Sequence, residues 1–292
     1  MSQPEQMYVA GRFVSTREAT VSATDAGLLL GAGLFETLRT YGGRPFRLSR
    51  HLARLRQSGQ TFRIFVGESD DRIAEIIARL LSANELADAR VRITATRGPL
   101  EAEVDDNEAP RATLLVAAGP MTPYPAEYYA HGATVVISDI RINETDPTVY
   151  HKTTGYARNL LALRDAHNAR ATEALFFNTR NRLAEGAVSN VFLVKDGRLL
   201  TPPVEEGLLA GITRATVLEL AADVSVPAEQ RPLAVNDLLG ADEVFLANSI
   251  MELMPVRQVE RREIGDGGPG AVTRRLAEAY RACVARETAP SA

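Results

Sequence analysis

The feature that most narrows the fold of this chain is the repeated switch in the period of its apolar residues. "DRIAEIIARLLSAN" sets Ile73, Ile76, Ile77, Leu80 and Leu81 along one side of a helix. "ARVRITATRG", shortly after it, sets Val91, Ile93 and Ala95 at every second position, the pattern of a strand with one buried face. The same exchange recurs. "MYVAGRFVS" reads as a hairpin turning at Gly11, "GLFETLRTYGGRPFRL" as two strands around Gly42 and Gly43, and "SRHLARLRQSGQTF" as a helix with Ser49 at its N-cap. "RATLLVAAG" is more continuously apolar and is expected at the centre of a sheet. "ATVVIS", "EALFFN" and "ADEVFLANS" read as further strands. "YARNLLALRDAHNA", "GITRATVLELAADV" and residues 271–286 read as further helices, and "NRLAEGAVSNVFLVKDGRLLTP" as a hairpin. The expected fold class is therefore α/β (α+β).

"GPMTPYPAEYYAHG", residues 119–132, interrupts both periods with three prolines and three tyrosines. It is expected to link a smaller domain, 1–118, to a larger one, 133–292. A chain of 292 residues is long enough for two such cores at roughly 150 residues each. "EAEVDDNEAPR", 101–111, reads as a solvated acidic loop.

A formal net charge of −4 argues against nucleic acid or an anionic membrane surface as partner. No apolar run approaches the ~20 residues of a membrane span. The N-terminus has neither the basic nor the apolar region of a signal peptide. Cys283 is the single cysteine, so no disulfide framework is expected and a cytoplasmic location is. His51, His131, His151 and His167 lack the spacing of metal ligands, and no metal is expected.

Only two residues, Lys152 and Lys195, are lysine, whereas arginine supplies the cation elsewhere. Lys195 precedes an Asp-Gly turn and reads as a solvated turn residue. Lys152, in "HKTTGYARNL", has no such context. Arginine keeps its proton in proteins, whereas lysine can lose it and attack a carbonyl. Lys152 is thus either an ordinary ion-pairing lysine or a Schiff-base nucleophile. Two other stretches carry a similar alternative. Glu185, in "RLAEGAVSN", is either at a solvent-facing edge or buried with a partner. Gly211, Ile212 and Thr213 open a helix, which is either a plain glycine-capped start or an anion site. Together they would suit pyridoxal phosphate, which needs an amine for its aldehyde, an anion at its ring nitrogen and N–H donors for its phosphate.

On these residues the chain resembles the class IV aminotransferases, the fold-type IV pyridoxal phosphate enzymes. "DAGLLLGAGLFETLRTYGGRPFRLSRHLARL" is similar to the family's N-terminal signature. "HKTTGYARNLLALRDA" is similar to its lysine segment, "LAEGAVSNVFLVKDGRLLTPP" with "GLLAGITR" to its long C-terminal signature, and "ADEVFLANSIMELMPV" to its last strand. The resemblance implies two domains with the cofactor in the cleft between them, and a homodimer. It makes Lys152 the Schiff-base lysine and Glu185 the partner of the ring nitrogen. Arg54, Ile212, Thr213, Ser249 and Ile250 become phosphate ligands, and Leu209 packs on the ring. It implies a transaminase acting on amino acids and 2-keto acids, with D-amino acids favoured slightly. Aminodeoxychorismate lyase and branched-chain L-amino acid aminotransferase are the alternatives. D-amino acid enzymes of this family often carry an arginine and a histidine just after "TRG" for the substrate carboxylate. Here "TRGPLEAEVDD" has neither, so Arg97, Arg39 and Arg141 are the expected carboxylate binders, with Phe35 as a further substrate contact.

Overall fold

The computed structural model describes residues 5–100 and 112–289, so the expected acidic loop at 101–111 lies outside the described residues. The chain divides into two units. The first takes residues 1–122, the short segment His151–Gly155 and residues 287–292; the second takes Pro123–Tyr150 and Tyr156–Arg286.

In the first unit the order is β1 (Gln6–Val9), β2 (Arg12–Ser15), α1 (Ala26–Leu29), β3 (Gly33–Tyr41), β4 (Arg44–Pro45), α2 (Leu48–Phe62), α3 (Asp70–Ala83), β5 (Ala89–Thr96) and β6 (Thr113–Pro120). The strands form one sheet in the order β2-β1-β6-β5-β3-β4. The continuously apolar β6 does lie inside it, antiparallel to both β1 and β5. Alternation along the long β3–β5 pair sorts the side chains. Leu34, Leu38, Val91, Ile93 and Ala95 join a core with Leu52 and Leu55 of α2 and Ile73, Ile76, Ile77 and Leu80 of α3. Glu36 shares their parity in β3 and is buried with them. Phe35, Thr37 and Arg39 have the opposite parity, and across the ladder Phe35 pairs with Thr94 and Thr37 with Arg92.

The start of α2 differs from the expectation. Its N-cap is Arg47, in the left-handed region at φ 54°, with no side-chain cap, so Ser49 is not the cap. The Phe46 amide is still tied to Arg39 O at 3.1 Å, which makes the chain turn into the helix at the very next residue. The helix after Ser69, by contrast, has a hydroxyl cap, with Ser69 Oγ accepting from Arg72 N.

The second unit runs α4 (Ala126–His131), β7 (Ala133–Ile142), α5 (Ala157–Asn168), β8 (Glu173–Asn178), β9 (Leu183–Gly186), β10 (Asn190–Lys195), β11 (Arg198–Thr201), α6 (Ile212–Asp223), β12 (Ala228–Gln230), α7 (Val235–Leu239), β13 (Glu243–Asn248), β14 (Glu252–Val259), β15 (Arg262–Glu263) and α8 (Ala271–Glu287). Its sheet has the order β12-β11-β10-β13-β14-β7-β8-β9, with β15 on β14. Every residue of β8 is buried, its apolar centre Ala174–Phe177 and also the polar Glu173 and Asn178 at its ends.

Two stretches fold differently from their sequence reading. Residues 119–132 are not an open connection: Gly119 and Pro120 finish β6, and 126–131 form α4. Tyr124, Tyr128 and Tyr129 pack on the core of the second unit, which is why a proline-rich stretch is ordered there. The stretch read as one hairpin is two arrangements. β9 pairs back on β8, and only β10 and β11 form the hairpin around Asp196 and Gly197. Lys195 is exposed at that turn and paired with Asp242 at 2.8 Å.

Candidate active site

Lys152 lies on a short strand that the sheet of the first unit recruits from far along the chain. Phe35 N donates to Lys152 O and Thr154 N to Gly33 O, both at 2.9 Å, and Leu34 faces Thr153 in an antiparallel bridge. Gly33 makes this approach possible, because a Cβ there would press on Thr154 Oγ1 at 2.8 Å and Ala95 O at 3.3 Å. The Lys152 Nζ lies 4.5 Å from the centroid of the Phe35 ring. The Arg92 guanidinium lies 3.8 Å from the same centroid. The amine and a second cation therefore share one aromatic ring. Sequence reading missed Arg92. Its signal was present, in the position of Arg92 two residues before Thr94 on the face opposite the Val91–Ile93–Ala95 stripe, but only the β3–β5 register makes it a neighbour of Phe35.

Beneath Phe35 the core face of the sheet carries an ionic cluster. Arg54 grips Glu36 with both ends of its fork, Nε to Oε1 at 2.8 Å and Nη2 to Oε2 at 2.7 Å. His51 Nδ1 adds a contact of 2.7 Å to Oε2. Burial alone would raise the Glu36 carboxyl, but the charge of Arg54 and the hydrogen bonds from His51 and Arg54 prevail and hold it down at about 2. Burial also pushes His51 below its ordinary value, and Arg54 and Lys152 push the same way, against the pull of Glu36. The pair is therefore a neutral imidazole donating Nδ1–H to a carboxylate. Glu36 anchors Arg54 from the sheet side, a contact the sequence reading of Arg54 did not include. His151 packs edge-on against Phe62 and meets Ser58 Oγ at 2.9 Å.

The other expected cations differ in setting. Arg97 follows β5 with its amide bonded to Ala32 O at 3.0 Å. Arg39 has its guanidinium 4.4 Å over the Tyr41 ring. Arg141, in the second unit, is exposed and donates to Ser138 O at 2.7 Å.

In the second unit Glu185 sits half-buried in β9, and its Oε2 accepts from Leu209 N at 3.1 Å and Asn190 Nδ2 at 3.4 Å. Of the alternatives left by the sequence, this is the partnered one. Asn190 Nδ2 also donates to Leu209 O at 3.0 Å, so Glu185, Asn190 and Leu209 form one cluster just before α6. A Cβ on Gly211 would collide with Asn190 Oδ1, so the glycine here is a packing requirement.

The start of α6, like that of α5, lacks a side-chain cap, unlike that of α8. Glu243 accepts from Val272 N and Thr273 N in the first turn of α8. α6 has glycine at its N-cap, no side-chain cap and no acidic residue in its first turn. Among the described residues, nothing accepts from the amides of Ile212, Thr213 and Arg214. Unmatched amides at the positive end of a twelve-residue helix fit a phosphate group. Ser249 and Ile250 lie in the turn between β13 and β14. There Asn248 Oδ1 takes the amides of Ile250 at 2.8 Å and Met251 at 2.7 Å, so the Ile250 amide already has an acceptor.

Comparison with known proteins gives a consistent grouping. A family model described as amino-transferase class IV matches residues 33–259. A putative branched-chain-amino-acid aminotransferase of Methanocaldococcus jannaschii is 33% identical over 94% of this chain and 95% of its own length. Aminodeoxychorismate lyase of Bacillus subtilis is 31% identical over 89% and 88%, and D-alanine aminotransferase of Staphylococcus haemolyticus 31% over 94% and 96%. Among solved structures, the branched-chain amino acid aminotransferase of Escherichia coli superposes with a TM-score of 0.91 at 29% identity, covering 98% of this chain and 96% of that one. The T.th. branched-chain amino acid aminotransferase complexed with N-(5'-phosphopyridoxyl)-L-glutamate gives 0.88 at 28%, covering 99% and 97%.

Proposed function

This chain belongs to the class IV aminotransferases and is an enzyme of that family, and from that premise we propose that it is a pyridoxal 5'-phosphate-dependent transaminase acting on an amino acid and a 2-keto acid. The observation that carries the reading is the Lys152 amine, fixed on a recruited strand beside Phe35 with the Arg92 guanidinium at the same ring. An amine that attacks a carbonyl, next to a cation that takes a carboxylate, is what an α-amino acid substrate requires.

When bound, pyridoxal phosphate supplies an aldehyde that condenses with amines and a ring that draws electrons from the substrate's α-carbon. Lys152 Nζ would be the amine that holds that aldehyde, and its free amine would be the base that takes and returns the substrate's α-proton. Glu185 would keep a proton on the ring nitrogen, its carboxylate held in place by its bonds from Leu209 N and Asn190. The amides of Ile212 and Thr213 would hold the phosphate, Ser249 and Arg54 would contribute further donors to it, and Leu209 would pack on the ring. Phe35 lines the substrate's place, and Arg92 rather than Arg97, Arg39 or Arg141 binds its carboxylate.

The preferred donor is an L-amino acid with a branched side chain. Support comes from the 33% relative named for branched-chain amino acids and from the L-glutamate adduct in the T.th. structure. Arg92 also offers a cation in place of the arginine–histidine pair that D-amino acid enzymes carry. D-amino acids, favoured slightly on sequence alone, are the second reading, supported by the relative named D-alanine aminotransferase, and the lyase reaction is the third. The protein acts as a homodimer in the cytoplasm. Among the described residues, no helix is long and apolar enough to cross a membrane.

The test mixes the protein loaded with pyridoxal phosphate with L-leucine, L-glutamate, D-alanine and aminodeoxychorismate and follows the visible absorbance. L-leucine and L-glutamate are expected to bleach it, and Lys152→Ala to remove both the visible band and turnover. Bleaching by D-alanine alone would replace the substrate assignment. Release of 4-aminobenzoate would replace the reaction. Full turnover by Lys152→Ala would remove the lysine from it.

A further inference from the structure

One fully buried carboxylate in the second unit has no part in the chemistry above. Glu173, the first residue of β8, is 1% exposed, and among the described residues no cation pairs with it. Four donors meet it instead. Ala174 N reaches Oε1 at 3.0 Å and Ala187 N reaches it at 3.1 Å. Val188 N reaches Oε2 at 3.2 Å and Ser189 Oγ reaches it at 3.0 Å. Three of these donors belong to the turn Ala187–Ser189, which joins β9 to β10. Glu185 stands just before that turn and Asn190, its support, just after it. Gly186 lets the turn close, since a Cβ there would collide with Ser189 Oγ and approach Glu173 Oε2 at 3.1 Å.

The carbonyl side of the same turn is equally engaged. Ala187 O accepts from Tyr156 OH at 3.1 Å and Asn159 Nδ2 at 2.7 Å, both at the start of α5. Val188 O accepts from Asn248 Nδ2 at 2.9 Å, and the Oδ1 of Asn248 organises the Ser249–Ile250 turn. An ionised carboxylate accepts only, so Glu173 can satisfy two amides and a hydroxyl of one turn at once. No neutral side chain of this size offers four acceptor sites.

We propose that Glu173 is the positioning residue of the cofactor site in this unit: by gathering the amides of Ala187 and Val188 and the hydroxyl of Ser189, it fixes the turn that sets Glu185 against Asn190. The role rests on the reading of Glu185 as partner of the ring nitrogen. A misplaced Glu185 weakens its grip on that nitrogen's proton, so the effect appears in the bound cofactor's spectrum as well as in rate.

The experiment uses holoenzyme reconstituted with pyridoxal phosphate. It compares wild type, Glu173→Gln, Ser189→Ala, Glu185→Gln and the double variant Glu173→Gln/Glu185→Gln. Two quantities are read: the dissociation constant of pyridoxal phosphate by equilibrium dialysis, and the pH midpoint of its visible absorbance. Glu173→Gln is expected to weaken retention about tenfold and move the midpoint by half a pH unit or more. Ser189→Ala, which removes a single donor, is expected to move both the same way by a smaller amount, and it serves alone if Glu173→Gln does not fold. In the Glu185→Gln background the further effect of Glu173→Gln should shrink below twofold. Equal effects in both backgrounds, or wild-type retention and midpoint in Glu173→Gln and Ser189→Ala, would overturn the role of Glu173 while leaving the transaminase reading intact. A wild-type chain that takes up no pyridoxal phosphate would overturn both.

Discussion

Two buried glutamates illustrate how neighbours decide what a carboxyl group does to stability. Glu36 is held at about 2 by Arg54 and His51 against burial, so it stabilises the fold above its unfolded value near 4.5, and that contribution is lost as pH falls toward 2. Glu173 has only amides and a hydroxyl, and burial, the larger effect, pushes it up to about 7 despite them. Its sign is opposite: between about pH 4.5 and 7 the folded chain holds a proton that the unfolded chain releases, so stability falls over that range, and the ionised form that accepts from all four donors belongs to pH above about 7. Each shift corresponds to about 3 kcal/mol at roughly 1.4 kcal/mol per unit. Urea unfolding of the cofactor-free protein should therefore show Glu173→Gln flattening the slope between pH 5 and 7.5. Glu36→Gln should cost more at pH 7 than at pH 3. Identical pH slopes for wild type and Glu173→Gln would show that the carboxyl keeps its ordinary value. Arg92 carries a kinetic prediction at the same scale. Arg92→Ala should raise the apparent KM for amino acids at least tenfold, about 1.4 kcal/mol, and change it much less for an amine without a carboxylate. Arg97→Ala should change neither; a selective loss there instead would return the role to Arg97.

Among the elements, the start of α6 carries the proposed phosphate contact. α3 and α8 have their first amides taken by Ser69 and Glu243, whereas the amides of Ile212, Thr213 and Arg214 have no acceptor among the described residues. Gly211 has ordinary φ, −67°, so its need is space. Gly211→Ala puts a methyl group on Asn190 Oδ1 and displaces the side chain that holds Glu185 and Leu209 O. It should weaken pyridoxal phosphate binding about tenfold in dialysis and lower the unfolding free energy by about 1–3 kcal/mol through overpacking. Unchanged binding of the cofactor would mean that the α6 start is not where its phosphate sits.

For the molecule as a whole, the exposed leucines bear on the proposed homodimer. Leu28, Leu29 and Leu30 are 68%, 53% and 68% exposed, in a tip held by Asp25, whose carboxylate accepts from Gly27 N and Thr96 Oγ1. Three exposed leucines on a rigid turn are costly in water, each worth about 1.5–3 kcal/mol if fully buried. The proposed homodimer would give them cover. Sedimentation equilibrium should return twice the chain mass for wild type, and a Leu28→Glu/Leu30→Glu variant should shift toward the single-chain mass. A wild-type protein that sediments as one chain at micromolar concentration would remove the dimer.

The alternation of apolar periods was enough for the α/β class, for nearly every long strand and helix, and for the central place of β6, because burial on one face imposes period 2 or 3.6 locally. The scarcity of lysine singled out Lys152, since a deprotonatable amine has no substitute among the arginines. The sequence could not show that Lys152 joins the sheet of the first unit although its flanking residues belong to the second. That depends on backbone bonds to Gly33 and Phe35, more than a hundred positions away. Nor could it distinguish Arg92 from the other arginines, show that Arg54 is clamped by Glu36, or separate β9 from the β10–β11 hairpin. Cross-strand register and long-range pairing decide these, and they place residues by three-dimensional packing that no local pattern encodes.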